Sequence, residues 1–166
     1  MLRSNRNILG LLLIVLSPWV LAQSAQDPIR ISADEATRSE LEGITRYLGN
    51  VVLVQGTITI TASSLEIDQA NPEEIKIIAT GSPATFVQPM VGAEPAIDAK
   101  AQTIRYEQVA RKVILEQDAR IQRGESIIRG PLIEYFIDEK RVQAGQDANQ
   151  PKSRVEVVIP PSGSTP

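Results

Sequence analysis

The 166-residue chain contains no cysteine and no histidine, and only two phenylalanines, three tyrosines and one tryptophan. Without cysteine no disulfide can staple the fold, so an ordered domain must rest on a noncovalent core. The missing Cys and His exclude the usual zinc sites, a serine triad, and the one side chain that titrates unaided near neutral pH. Only chemistry built on carboxylates or lysine stays open. Beyond residue 22 no apolar run approaches the roughly 20 residues that a membrane-spanning helix needs. A phosphate-cradling glycine loop, a nucleophile elbow and a calcium loop are also missing.

What is present begins with an export signal. Arg3 and Arg6 precede an apolar run over residues 8–16, Ser17-Pro18 breaks it, and Val20-Leu21-Ala22 ends in a small residue suited to cleavage. The expectation is a cleavable signal peptide over residues 1–22 and a soluble mature chain starting near Gln23. An exported chain without cysteine suits the periplasm better than a disulfide-rich extracellular scaffold. Losing Arg3 and Arg6 takes the 17 basic residues to 15 against 20 acidic ones, a net charge of −5. That balance argues against non-specific nucleic-acid binding. Charge is uneven along the chain: residues 23–99 hold 4 basic and 11 acidic side chains, residues 100–141 hold 9 and 7.

Hydrophobicity alternates with period two over most of the mature chain, and β-branched residues dominate, as half-buried strands require. Residues 28–34, 44–48, 51–55, 58–62, 75–79, 84–87, 96–99, 103–107, 112–116, 119–122, 126–129, 132–137, 141–144 and 154–159 read as short strands. Gly49-Asn50 and Gly81-Ser82-Pro83 read as turns between strands. At Ser63-Ser64 the apolar phase flips from Ile58 and Ile60 to Leu65 and Ile67, the mark of a bulge or corner. Residues 89–95 connect two halves. Residues 146–153 read as a polar linker, 154–160 as a terminal edge strand ended by Pro160-Pro161, and 161–166 as a disordered tail. An offset of 68 residues superposes Gly56 on Gly124, Leu53 on Ile121, Ile60 on Ile128, Leu65 on Ile133 and Glu66 on Glu134. The chain therefore reads as all-β, antiparallel and rolled, with a repeated strand–Gly–strand unit.

Several segments in combination carry a family resemblance: 27–34 (DPIRISAD), 49–62 (GNVVLVQGTITITA), 81–86 (GSPATF), Arg105-Tyr106 and 154–160 (RVEVVIP). On these the chain resembles the LptA (OstA-like) family of lipopolysaccharide export proteins over essentially its whole mature length. The resemblance implies a twisted antiparallel β-jelly roll, open at both ends, working in the periplasm with lipopolysaccharide as its cargo. It implies stacking end to end into a bridge, with an LptC-like inner-membrane protein at the N-terminal edge and an LptD-like outer-membrane protein at the C-terminal edge. Any energy input then comes from an ATP-driven inner-membrane complex, and no catalysis, metal or cofactor is expected of this chain. The polar linker before the last strand is longer than the family pattern. A related LptC-type docking module is the alternative within the class.

Given such a roll, the inward, lipid-facing positions are Ile29, Ile31, Ile58, Ile60, Leu65, Ile67, Phe86, Ile104 and Tyr106, with Ile128 and Tyr135 from the second copy of the unit. The resemblance places Ile29, Ile31 and Phe86 against substrate. Ile29, Arg30 and Ile31 at one edge and Val155, Val157 and Ile159 at the other form the expected assembly edges, because an unpaired strand invites another. Arg105, Arg111, Lys112, Arg120, Arg123 and Arg129 alternate on strands as an outer charged face. The acid pairs Glu73-Glu74 and Asp138-Glu139 are what a carboxylate-only polysaccharide enzyme would need, but adjacent acids on a turn point apart.

Overall fold

The computed structural model describes residues 27–71, 74–145 and 154–160. The signal segment, the linker over 146–153, the tail from 161 and Glu73 lie outside the described residues. Among the described residues, ten strands form one antiparallel sheet. They are β1 (Arg30–Ser32), β2 (Glu35–Ser39), β3 (Ile44–Gln55), β4 (Ile58–Asp68), β5 (Lys76–Gln88), β6 (Ile97–Glu107), β7 (Lys112–Arg123), β8 (Ser126–Phe136), β9 (Arg141–Gly145) and β10 (Glu156–Val158). Neighbours run β1-β3-β4-β5-β6-β7-β8-β10, with β2 beside β3 and β9 beside β8. The two outer edges are thus β1 with β2, and β9 with β10.

Six strands are longer than their sequence patterns suggest. Gly49-Asn50 does not end a strand: β3 runs through it, with Gly49 at φ +76° and Asn50 at φ +46°. Gly81-Ser82-Pro83 likewise sits inside β5, and the short segments on either side of residues 100–103, 116–119 and 130–131 fuse into β6, β7 and β8. Each interruption is a register shift, at Leu48/Val51, Thr61/Ser64, Thr80/Ala84, Lys100/Thr103 and Glu116/Ala119. Extra residues bend the strand and leave pairing intact on both sides. The edges are shorter than expected: β1 covers only residues 30–32, and the last strand only 156–158.

These shifts line up across the sheet as one crease. Small residues follow it: Ala62 opposite Val51, Ala84 opposite Ala101, and Ala119 opposite Gly130. Along the crease the sheet folds onto itself and side chains from opposite ends of the strands meet. The Phe86 and Tyr135 rings, on strands that do not pair, lie edge to face at 6.4 Å and 70°. Tyr106 Oη, near the end of β6, donates to Gln55 Oε1 at the far end of β3 at 3.0 Å. Gln55 Nε2 in turn donates to the Asp27 carbonyl at 3.0 Å and ties down the N-terminal segment. The inner faces of the two layers form one apolar core from Val51 and Leu53 through Ile104 and Leu115 to Ile137.

The repeat holds strand by strand. Shifting β3 and β4 by 68 residues lands on β7 and β8 at both ends of each strand. The intervening glycines, Gly56 at φ +56° and Gly124 at φ +58°, make the same left-handed turn, which an L side chain adopts only with strain. β1 and β2 together occupy the place that β6 fills in the second half: Ile31 faces Leu53 as Ala99 faces Ile121, and Glu35 faces Leu48 as Thr103 faces Glu116. β9 and β10 together occupy the place of β5. Tyr135 faces Val142 as Ile67 faces Ile77, and Ile128 faces Val157 as Ile60 faces Phe86. The folded sheet is therefore two four-strand units joined at the β5–β6 pair.

Candidate functional site: an apolar interior between two edges

All eleven expected lipid-facing residues lie on the inner face. Ile58, Ile60, Leu65, Ile67, Phe86, Ile104, Tyr106 and Tyr135 are buried, and Ile29, Ile31 and Ile128 are partly buried against the same cluster. The interior extends further than the expected set, through Val51, Leu53, Ile77, Ile97, Val113, Leu115, Ile121 and Ile133. Their signal was available as plain alternation on the central strands. The crease alanines were harder to read, because their role depends on bulges that look like turns in sequence.

The interior is bounded on four sides. The crease closes one long side. The strand-end turns close the opposite side, where the 89–95 loop is strapped to the β8–β9 turn. There Glu94 accepts from Lys140 Nζ at 2.6 Å and from Arg123 at 3.4 Å, while Arg123 Nη1 donates to the Lys140 carbonyl at 3.2 Å. The remaining two sides are the sheet edges, and the apolar face reaches both. Ile29 and Ile31 lie at the β1 edge, with Val142 and Ala144 of β9 at the other.

The Lys140 hydrogen bond and charge hold the Glu94 carboxyl below the usual carboxylate range, with Arg123 adding to the effect. A carboxyl depressed in the folded state stabilises above its ordinary pKa, and that contribution is lost as pH falls through the depressed value. The destabilisation caused by Glu94→Gln is therefore expected at pH 7 and should shrink as the pH falls into the acid range. Denaturant midpoints of both proteins at pH 7 and pH 3 check this; an equal difference at both pH values would refute it. Burial is the main cause that raises the Tyr106 and Tyr135 hydroxyls above their ordinary range, so both stay protonated, Tyr106 as the donor to Gln55.

β10 pairs with β8 of its own chain, Glu156 facing Arg129 and Val157 facing Ile128. Its other edge carries no strand among the described residues, and the same is true of β1. Val155, Val157, Val158 and Ile159 are exposed at that edge. Of the expected outer charged face, Arg105, Lys112, Arg120 and Arg129 point outward, and Arg105 pairs with Glu116, Lys112 with Glu107 and Glu134, and Arg129 with Glu156. Arg111 sits instead in the β6–β7 turn, paired with Asp138. Arg123 lies opposite buried Ile97 on the inner side at the end of β7, because its odd spacing from Arg120 on the same strand puts the two on opposite faces. The turn acids are absorbed likewise. Glu74 pairs with Lys76, Asp138 with Arg111 and Glu139 with Arg141, so no two carboxylates face each other across a cleft there.

Comparison with known proteins gives a consistent picture. The profile of the family described as LptA/(LptD N-terminal domain) LPS transport protein matches residues 30–141. The lipopolysaccharide export system protein LptA of Escherichia coli (strain K12) is 30% identical over 155 residues, covering 92% of this chain and 82% of that protein. LptA of Haemophilus influenzae is 30% identical over 149 residues, covering 88% and 84%. The crystal structure of LptH from Pseudomonas aeruginosa, the LptA-homologous periplasmic component of a lipopolysaccharide transport device, superposes with a TM-score of 0.75 at 27% identity. It covers 81% of this chain and 96% of that one.

Proposed function

Since the chain belongs to the LptA/(LptD N-terminal domain) family of lipopolysaccharide transport proteins, we propose that it is a periplasmic carrier of lipopolysaccharide. In this reading it holds the acyl chains between its two layers and passes them along a head-to-tail bridge from inner to outer membrane. One observation carries the reading: the buried apolar face is continuous from one open sheet edge to the other. Each acyl methylene withdrawn from water contributes about 0.8 kcal/mol, so a continuous dry path is what the cargo demands. The chain's task is shielding, with no bond made or broken, and energy enters through an ATP-driven complex at the inner membrane. An LptC-like partner takes the β1–β2 edge and an LptD-like partner the β9–β10 edge.

The internal repeat supplies a template for how copies join. Within the chain, the first unit ends in β5 and the second begins with β6, and these pair Thr85 with Lys100, Phe86 with Ala99 and Val87 with Asp98. β10 stands in the place of the outer part of β5, and β1 in the place of the first part of β6. Carried across a junction between copies, that register sets Glu156 opposite Ser32, Val157 opposite Ile31 and Val158 opposite Arg30 of the next copy. β9 then faces β2 as the inner part of β5 faces the rest of β6. Such a contact is head-to-tail and does not close on itself, so it extends the apolar path with each copy.

The carrier reading is tested by photocrosslinking in cells during active transport. A photoreactive residue at Phe86, which points inward, should give a lipopolysaccharide adduct. The same residue at Val87, one position along and exposed, should give none. Absence of an adduct at Phe86, or equal adducts at both, sinks the proposal.

A further inference from the structure

The repeat also gives each outer-face position an internal counterpart. Beside the crease, Lys100 lies directly opposite Arg120 on β7, and Arg120 directly opposite Arg129 on β8. Like charges facing each other across a strand pair destabilise it. The counterpart row in the first unit, 68 residues earlier, is neutral: Ser32 opposite Val52, and Val52 opposite Thr61. Where the second unit pairs Arg129 with Glu156 at 3.2 Å, the first closes with a Thr61–Thr85 hydroxyl contact of 2.6 Å. The same backbone in the same register is thus built without cations. The fold does not require the three charges, and their repulsion works against it.

The cations surround a cavity. Lys100, Arg120, Arg129 and Arg154 line an open cavity of about 450 Å³ on the outer face, with Gly130 on its wall. Two carboxylates are also present. Asp118 accepts from Gln102 Nε2 at 2.7 Å, and Glu156 is paired with Arg129. Four cations therefore face two acids. Among the described residues, Lys100, Arg120 and Arg154 take part in no ion pair; Arg120 donates only to the neutral Gln122, at 2.6 Å. Planar guanidinium groups beside an ammonium suit phosphate oxygens, which accept paired N–H bonds. A volume in the range of small-molecule sites leaves room for more than a bare phosphate.

We propose that this cavity binds the phosphate groups of a sugar-sized ligand, carried on a lipid headgroup or free in solution. The site lies on the outer face, away from the apolar interior, and does not depend on the transport reading. The bound anion relieves the repulsion along the Lys100–Arg120–Arg129 row, so the site is built to be completed by a ligand.

The test exchanges the row for its internal counterpart in the full mature chain: Lys100→Ser, Arg120→Val and Arg129→Thr together. In phosphate-free buffer the triple variant should unfold at about the wild-type denaturant concentration, because relief of the repulsion offsets the loss of the exposed Arg129–Glu156 pair and the Arg120–Gln122 hydrogen bond. At fixed ionic strength, two probes are titrated by calorimetry: inorganic pyrophosphate, and lipopolysaccharide before and after phosphatase treatment. Wild type should bind at least one phosphorylated probe about tenfold more tightly than the variant does, the scale of a charge-assisted contact. A difference confined to untreated lipopolysaccharide makes the headgroup the source; one seen with pyrophosphate alone makes it a free anion. Equal binding of every probe by both proteins overturns the site. So does a variant whose only change is oligomer size, since the cations then face a second copy. If wild type binds pyrophosphate but no lipopolysaccharide, the transport reading falls and the site stands.

Discussion

Phe86→Ala is expected to destabilise the lipid-free protein by about 3–5 kcal/mol, the usual cost of truncating a buried phenylalanine. That is a large share of the roughly 5–15 kcal/mol that holds a domain together. Phe86 is fully buried, lies beside Ile60 on β4 and Ala99 on β6, and meets Tyr135 from the opposite layer. Its loss opens a void at the contact between layers, and the facing Ala99 is too small to fill it. The functional reading adds a second half to the result. An acyl chain between the layers can occupy the void, as apolar ligands occupy engineered apolar cavities. Lipopolysaccharide should therefore stabilise Phe86→Ala more than it stabilises wild type. Denaturant unfolding of both proteins, with and without lipopolysaccharide, measures the two effects. A lipid-free loss under about 1 kcal/mol would mean that the layers are not closed on Phe86. Equal stabilisation by lipid would mean that the cargo does not enter between them.

The second large effect concerns assembly. Because the chain has no cysteine, Ile31→Cys with Val157→Cys puts the only two thiols at positions that the β5–β6 template sets opposite each other in neighbouring copies. Directly opposed residues bring Cβ atoms to about 4.5–5.5 Å, close enough for a short thiol crosslinker and near the limit of a disulfide. The expected result is a ladder of covalent dimers, trimers and longer species on a denaturing gel. Ile31→Cys with Val158→Cys should give little, because adjacent residues on a strand point to opposite faces. Equal ladders from both pairs would mean a register other than the internal one, and no ladder from either would remove the head-to-tail junction at these strands.

How much of this was readable beforehand varies by element. Period-two alternation on β3, β4 and β6 to β8 marked the inner face directly, and Ile58, Ile60, Leu65, Ile67, Ile104, Tyr106 and Tyr135 are buried where that pattern puts them. The phase flip at Ser63-Ser64 marked a real register shift. The companion signals at Gly49-Asn50 and Gly81-Ser82-Pro83 look like turns in sequence, since glycine and proline favour turns and bulges alike. Only pairing on both sides of the interruption tells them apart, and pairing is non-local.

Between the register shifts, sequence alone decided which residues share a face, because strand alternation is a local property of the backbone. It also decided that no Cys or His chemistry is available, and it showed a 68-residue rhythm. Tertiary structure decided that five register shifts align into one crease, which folds a single sheet into two layers. It placed Phe86 on Tyr135 and Gln55 on Tyr106 from opposite ends of their strands, left β1 and β10 as outer edges, and set three cations in a row. Each of these depends on register between strands far apart in the chain, which no local pattern specifies.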